Sequence, residues 1–414
     1  MSEKNELSGI CETWLRAALT ALQSLPFLPG YEDIDVTFRP DGGYSTQTTS
    51  TKIDSSFLIR NYRNWLFGLP EFEDVLKIVV RAPALASALF PRTEELPSYD
   101  LDQQKNILET YFGRFLIEYV KTKQDLAFAE SNFKSILTKL EEYLYSTEPI
   151  TTTTLIHLRN VRSEVKEASL AKNVFLRQTT YEEKKEAVKS ALARQEHGDI
   201  PETVLGIQHL IAPQEDLPVS KQQEVYDIAN AVAFALRLMK PEHVELGKFH
   251  WHITDQPFRG EGGMSWSLIR NIRSFDNSSY ILTAEDIDVL TKLWPRAKKA
   301  YKKAELLIAI SRFEGSYLRH ILQDMLIDYW IGLEALFLPP EMVREMKEAV
   351  ALAVSNYLGK TSDERDRIYK EVMSSHEIRG KVVHGKPVEE KRLIEFTTKT
   401  GELLRHSLWK RIEE

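Results

Sequence analysis

Arg379 and His384 stand five positions apart in the run His376-Glu377-Ile378-Arg379-Gly380-Lys381-Val382-Val383-His384-Gly385. Their side chains suit phosphate chemistry. A guanidinium grips phosphate oxygens with a rigid fork and stays charged at all working pH values. An imidazole takes a proton from a ribose 2′-hydroxyl or returns one to a leaving oxygen. Together the pair can cleave RNA by internal transesterification without metal. Gly385, followed by Pro387, forms a helix stop and makes His384 the last helical residue. On an ideal helix Arg379 then lies about 140° round and about 7.5 Å back from His384. A long arginine and a terminal imidazole can still meet on one ligand from there. His376 falls three residues before Arg379, on roughly the same side. The same residue types also fit a surface ion-pair former followed by a helix-end cap.

These residues must be positioned by helices. From Thr283 onward the sequence reads as helix after helix. Thr283 is an N-cap with Asp286 three residues on. Apolar residues at 318, 322, 325, 329, 333 and 336 mark one helix face, ended by Pro339-Pro340. Further helices run over Met342–Tyr357, Ser362–His384 and a last stretch carrying Leu393, Phe396, Leu403, Leu404 and Leu408. Such amphipathic helices are stable only when packed together. Residues 283–414 are therefore expected to form an all-α bundle. Residues 1–282 read as a separate α+β domain, so the fold class is mainly α. In that region residues 4–24, 101–145, YEEKKEAVKSALARQ and KQQEVYDIANAVAFALRLM predict helices. DIDVTF, VLKIVV, TTTTLIHL, VELGKFHWHI and SSYILT predict strands, and Asp41-Gly42-Gly43 a turn.

Bulk properties agree with a soluble, globular, cytoplasmic protein. The chain has 414 residues, too many for one ordinary domain. No apolar run is long enough for a membrane span, and MSEKNELSG lacks the apolar core of a signal peptide. A single cysteine, Cys11, rules out an internal disulfide and a cysteine zinc cluster. The net charge of −7 argues against binding nucleic acid over the whole surface. That deficit lies in residues 1–282, and the last 132 are nearly neutral.

The arginine–histidine spacing followed by glycine, preceded by ISRFEGSYLRHILQDMLIDYWIGLEALFLPP, resembles the HEPN superfamily. It is most similar to the Apea-like branch, whose bundle ends in a pattern like Y-x-x-R-S-x-x-V-H-G. The resemblance covers residues 283–414 and implies a helical bundle that dimerises, bringing two arginine–histidine motifs together across the interface. It implies a metal-independent endoribonuclease of prokaryotic antiphage or toxin–antitoxin systems, with Arg379 and His384 catalytic and no cofactor. RNA, a second copy of the chain and a regulatory protein are the partners it implies, with no membrane. The N-terminal region would sense a trigger or hold the nuclease in check. Two positions depart from the pattern. Gly380 replaces a residue that is often polar, and His376 stands where a tyrosine is usual. The alternative is a non-catalytic HEPN module that dimerises and holds RNA, a nucleotide or a protein.

Other residues are candidates for support. Asp328 and Glu334, within the apolar helix, can each pair with Arg379 and fix its geometry. The run RAKKAYKKAE offers Lys298, Lys299, Lys302 and Lys303 around Tyr301 as an electrostatic track for RNA, with Lys381 nearby. A solvated helix face has the same composition. His250 and His252 in KFHWHITD alternate on one strand face, near Asp255, as two ligands of a metal would. No third ligand follows from spacing, and no metal is expected. RGEGGMS lacks the Lys-Ser/Thr of a phosphate loop.

Overall fold

A computed structural model describes residues 3–26, 30–38, 44–53, 55–82, 85–86, 89–90, 100–146, 149–185, 202–211, 219–242, 244–254, 258, 280–319, 321–339 and 346–414. The described residues are mostly helical, with their strands before residue 283. Among the described residues no helix is long and apolar enough to cross a membrane.

The first 146 residues build one core around α1 (Glu3–Gln23). Its buried residues Leu7, Ile10, Cys11, Trp14, Leu15, Ala18, Leu19 and Leu22 alternate in steps of three and one, a single helical stripe. Trp14 stacks on Phe67 at 5.4 Å and meets Phe112 edge-on at 5.2 Å. A hairpin, β1 (Gly30–Phe38) and β2 (Tyr44–Ile53), leads to α2 (Ser55–Leu66) and α3 (Pro70–Arg81). The Asp41-Gly42-Gly43 turn lies outside the described residues. VLKIVV is helix α3, not the expected strand. Pro70 opens the helix, Glu71 and Glu73 sit in its first turn, and Phe72, Val75 and Val79 are buried three and four apart. A short β-branched run fits either period, and the flanking helix-start signal decides it.

The long helical pattern after Leu101 is two helices, α4 (Leu101–Lys123) and α5 (Glu130–Tyr145). Asp100 and Gln103 cap the first reciprocally, and Gln124 ends it in a left-handed conformation at φ 55°.

A five-stranded antiparallel sheet follows, in the order β5-β6-β7-β3-β8. Its members are β3 (Ile150–Arg159), β5 (Glu167–Ala171), β6 (Val174–Gln178), β7 (Thr203–Ile211) and β8 (Glu245–Thr254). Two three-residue strands, β4 (Val161–Ser163) and β9 (Tyr280–Leu282), pair in parallel beside it. Helix α6 (Val219–Met239) is buried on all sides from Ala231 to Leu236. A helix apolar all round needs cover on every face. Strand β3 contributes Ile156 and Leu158 to its surroundings, and the C-terminal helices complete them.

Among the described residues the remainder is six helices: α7 (Ala284–Ala300), α8 (Ala304–Ser316), α9 (Leu322–Phe337), α10 (Met346–Leu358), α11 (Ser362–Val383) and α12 (Glu390–Glu413). Thr283 caps α7 with Asp286, as its sequence predicts. The continuous face expected from 318 to 336 is interrupted. The chain turns after Ser316, Leu318 is exposed, and α9 begins at Leu322. The sheet, α6 and these six helices share one hydrophobic core, whereas residues 7–144 with Phe258 form the other. The expected border at 282/283 thus falls inside the second core, and the cores divide near residue 146.

Candidate functional site

The end of α11 is built by its own sequence. Thr361 and Glu364 close a capping box at the start. Ile368, Val372, Ser375 and Ile378 are buried at spacings of four and three, which turns this face toward its neighbours. At the far end Gly385 adopts φ +64°. The Lys386 N–H donates to the Lys381 carbonyl at 2.8 Å and the Gly385 N–H to that of Val382 at 3.0 Å. This paired pattern is a Schellman stop. It fixes the His384 backbone and leaves its side chain exposed to solvent.

Arg379 points the other way, into the groove between α11 and α9. Its Nη2 lies 3.5 Å from Glu334 Oε1, with the two side chains 25% and 20% exposed. Its Cζ is 6.0 Å from the centre of the Trp330 ring. Its Nε–H is buried and has no acceptor among the described residues. Such an orphan donor costs free energy until an acceptor arrives. Burial pushes the Glu334 carboxyl above its usual range, and the Arg379 charge opposes that shift.

Trp330 is the floor of this groove and is fully buried. Its indole N–H donates to Ser375 Oγ at 2.9 Å. Ser375 Oγ is 2.5 Å from Thr400 Oγ1, and the Thr400 hydroxyl donates to the Phe396 carbonyl at 2.6 Å. The last bond fixes the direction of the relay: indole to serine, serine to threonine, threonine to backbone. It ties α9, α11 and α12 together beneath Arg379. Gly332 and Gly401 permit the close approach of α9 and α12. A Cβ at Gly332 would meet Leu404 at 2.6 Å, and one at Gly401 would meet the Tyr329 ring at 2.9 Å.

His376 packs edge-on against the same indole, with ring centres 5.1 Å apart. Burial pushes its imidazole below the ordinary value, and the charges of Arg379 and Lys347 push it further, while Glu348 opposes them. The groove therefore gathers Trp330, Glu334, His376 and Arg379. His384, the terminal imidazole, makes no hydrogen bond or ion pair with a described residue.

Asp328 does not pair with Arg379. It lies about one and two-thirds turns before Glu334 on α9, buried, where it accepts from Arg312 at 2.9 Å and Arg319 at 2.7 Å. It braces the α8–α9 turn instead. The basic run divides. Lys298 is half-buried, Lys299 and Lys302 are exposed, and Lys303 borders a cleft of about 800 Å³ together with Glu334, Phe337, Leu338, Met346 and Arg411. Tyr301 is unavailable for stacking on a base, because its ring packs on Phe234 at 5.6 Å and its hydroxyl is buried. Lys381 is engaged by Glu377 at 2.7 Å on the surface of α11. His250 and His252 lie on β8 opposite Ile156 and Thr154 of β3. Their side chains, Asp255 and RGEGGMS lie outside the described residues. Among the described residues no three His, Cys, Asp or Glu are grouped to hold a metal ion.

The spacing from Trp330 to Glu334 is four, and that from His376 to Arg379 is three. Both are helix-face pairs, so the groove's two walls were readable one at a time. Their meeting was not, and Ser375 and Thr400 carry no motif. Comparison of the chain with family models, curated proteins and solved structures finds no match.

Proposed function

We infer that the C-terminal helical region is a metal-independent endoribonuclease of HEPN type, acting in prokaryotic antiphage or toxin-like defence. Arg379 holds the scissile phosphate and His384 transfers a proton. The ribose 2′-hydroxyl attacks phosphorus and the 5′-oxygen leaves, giving a 2′,3′-cyclic phosphate and a 5′-hydroxyl. A second copy of the chain places its own pair across the cleft. The N-terminal region, or a partner protein, restrains the nuclease until a trigger arrives, in the cytoplasm.

The observation that carries this reading is the Arg379 fork. A half-buried guanidinium with one N–H lacking an acceptor is a seat for an anion. It lies at the end of a helix whose stop presents an imidazole to solvent. The sequence resemblance supplies the reaction type. The test is cleavage of single-stranded RNA by the full chain in EDTA, beside Arg379→Ala and His384→Ala. Loss of cleavage in both variants supports the reading, and equal cleavage by all three overturns it.

A second reading, a module that binds RNA, a nucleotide or a protein without turnover, is favoured by two features. Glu334 already engages Arg379. Gly380 offers no side chain to orient a substrate, and the space where its Cβ would stand is open. Arg379-dependent RNA binding with intact RNA would select it.

A further inference from the structure

The fold separates Arg379 from His384 and brings it beside a different imidazole. His376 and Arg379 are three residues apart, about 60° round the helix and about 4.5 Å along it. Both rest on the indole of Trp330, His376 edge-on at 5.1 Å and Arg379 over the ring at 6.0 Å. His384 lies about 140° round from Arg379, exposed beyond the last turn. A phosphate seated on the Arg379 fork is therefore within reach of His376 of the same chain. We propose that His376 is the general base of this site, taking the proton from the ribose 2′-hydroxyl while Arg379 holds the phosphate. The assignment rests on the nuclease reading above.

The proton inventory closes with two histidines. His376 accepts the 2′-hydroxyl proton as the new O2′–phosphorus bond forms. The phosphorus–O5′ bond breaks, and the departing oxygen takes a proton from His384 of the second copy that the proposed dimer brings across the cleft. Nothing is oxidised or reduced, and no co-reactant is needed. The surroundings of His376 suit a base. A base must be neutral to accept a proton. The charged groups facing the ring are Arg379 on its own helix and Lys347 and Glu348 on α10, while Trp330 walls it from α9. Lys347 and Glu348 are themselves paired at 3.1 Å, which leaves Arg379, itself 3.5 Å from Glu334, as the cation that acts most on the ring. Burial and that cation both favour the neutral ring. Trp330 is held by Ser375 and Thr400, so the wall against which the imidazole packs is fixed.

The experiment uses the full chain with His376→Gln and His376→Ala, single-stranded RNA and EDTA near neutral pH. Single-turnover cleavage should fall about 100-fold or more in His376→Gln, with the melting temperature retained. Imidazole added to the buffer should restore part of the His376→Ala rate, which a merely structural role would not allow. Independently of activity, the His376 ring signals in a proton NMR titration should change below the ordinary value of 6.5. Cleavage by His376→Gln within about threefold of wild type, or a ring that titrates above 6.5, overturns the assignment and leaves the nuclease reading standing. Absence of cleavage by the wild-type chain overturns that reading, and this assignment with it.

Discussion

If the nuclease proposal holds, Glu334 competes with RNA for Arg379. Replacing it by glutamine removes the competing charge while keeping an amide oxygen that can still orient the guanidinium. The two groups are 3.5 Å apart. Unit charges at that separation attract by about 1.2 kcal/mol in water and about 5 kcal/mol at an effective dielectric constant near 20. Both side chains are a fifth to a quarter exposed, which places the attraction toward the lower figure. A release of about 1.4 kcal/mol corresponds to a tenfold change in affinity. The assay is fluorescence anisotropy with an RNA oligonucleotide methylated at every 2′-hydroxyl, which binds without being cut. At low salt, Glu334→Gln should bind about tenfold more tightly than wild type. In an Arg379→Gln background the same change should do nothing. Equal tightening in both backgrounds would mean that Glu334 repels RNA in general, and weaker binding in the single variant would mean that the carboxylate is needed to present the fork. Either result refutes the competition argument. Because burial raises the Glu334 carboxyl, its ionised form costs the fold free energy near neutral pH, and the variant should melt no lower than wild type.

Two further outcomes concern stability. Asp328 is almost wholly buried, whereas Arg312 and Arg319 are 42% and 45% exposed. Asp328→Asn lets both arginines rehydrate and should cost about 1–3 kcal/mol. The double variant Arg312→Ala/Arg319→Ala strands a buried carboxylate and should cost about 3–5 kcal/mol. Urea denaturation at constant slope measures both, and a larger cost for Asp328→Asn would reverse the argument. His376 gives a pH signature. Its folded pKa is lowered, so the unfolded chain binds more protons just below 6.5. Stability is full above that value and declines as pH falls through the window toward the folded value. Thermal melts of wild type and His376→Gln should coincide near neutral pH and separate on acidification, with wild type falling further, while His406, also lowered by burial, supplies a residual slope in both.

The helix ends were legible where short-range chemistry decides them. Thr283 with Asp286 marks the start of α7, and Gly385 with Pro387 the end of α11, because a cap is local and its residues are few in kind. The VLKIVV run fits a strand as well as a helix because five of its six residues are aliphatic and satisfy both periods, and only Pro70 breaks the tie. The strands β5, β6 and β7 went unseen. Their alternation is interrupted by Ser169, Arg177 and Gly206, and their pairing is set by partners up to 61 residues away, from Ile150 to Ile211. At the site, the type and spacing of Arg379, His376 and Glu334 were visible. That Glu334, rather than Asp328, faces Arg379 was not, since both lie on α9 and only the packing of α8 claims the latter. A basic run looks the same whether its tyrosine faces water or core, which is why the inward turn of Tyr301 was hidden.

Helix α6 makes the C-terminal helices inseparable from the sheet. Its Leu238 and Met239 carbonyls are gripped by Arg405 from α12, and its Arg237 reaches Glu314 of α8 at 3.1 Å. A fragment cut at residue 283 would expose the faces of α7, α8 and α12 that α6 now covers, and would leave two arginine-binding partners cut away. The smallest excisable unit therefore begins near residue 149. A tug on the sheet would be felt first at α12, which also carries Thr400 and so the hydroxyl relay under Trp330.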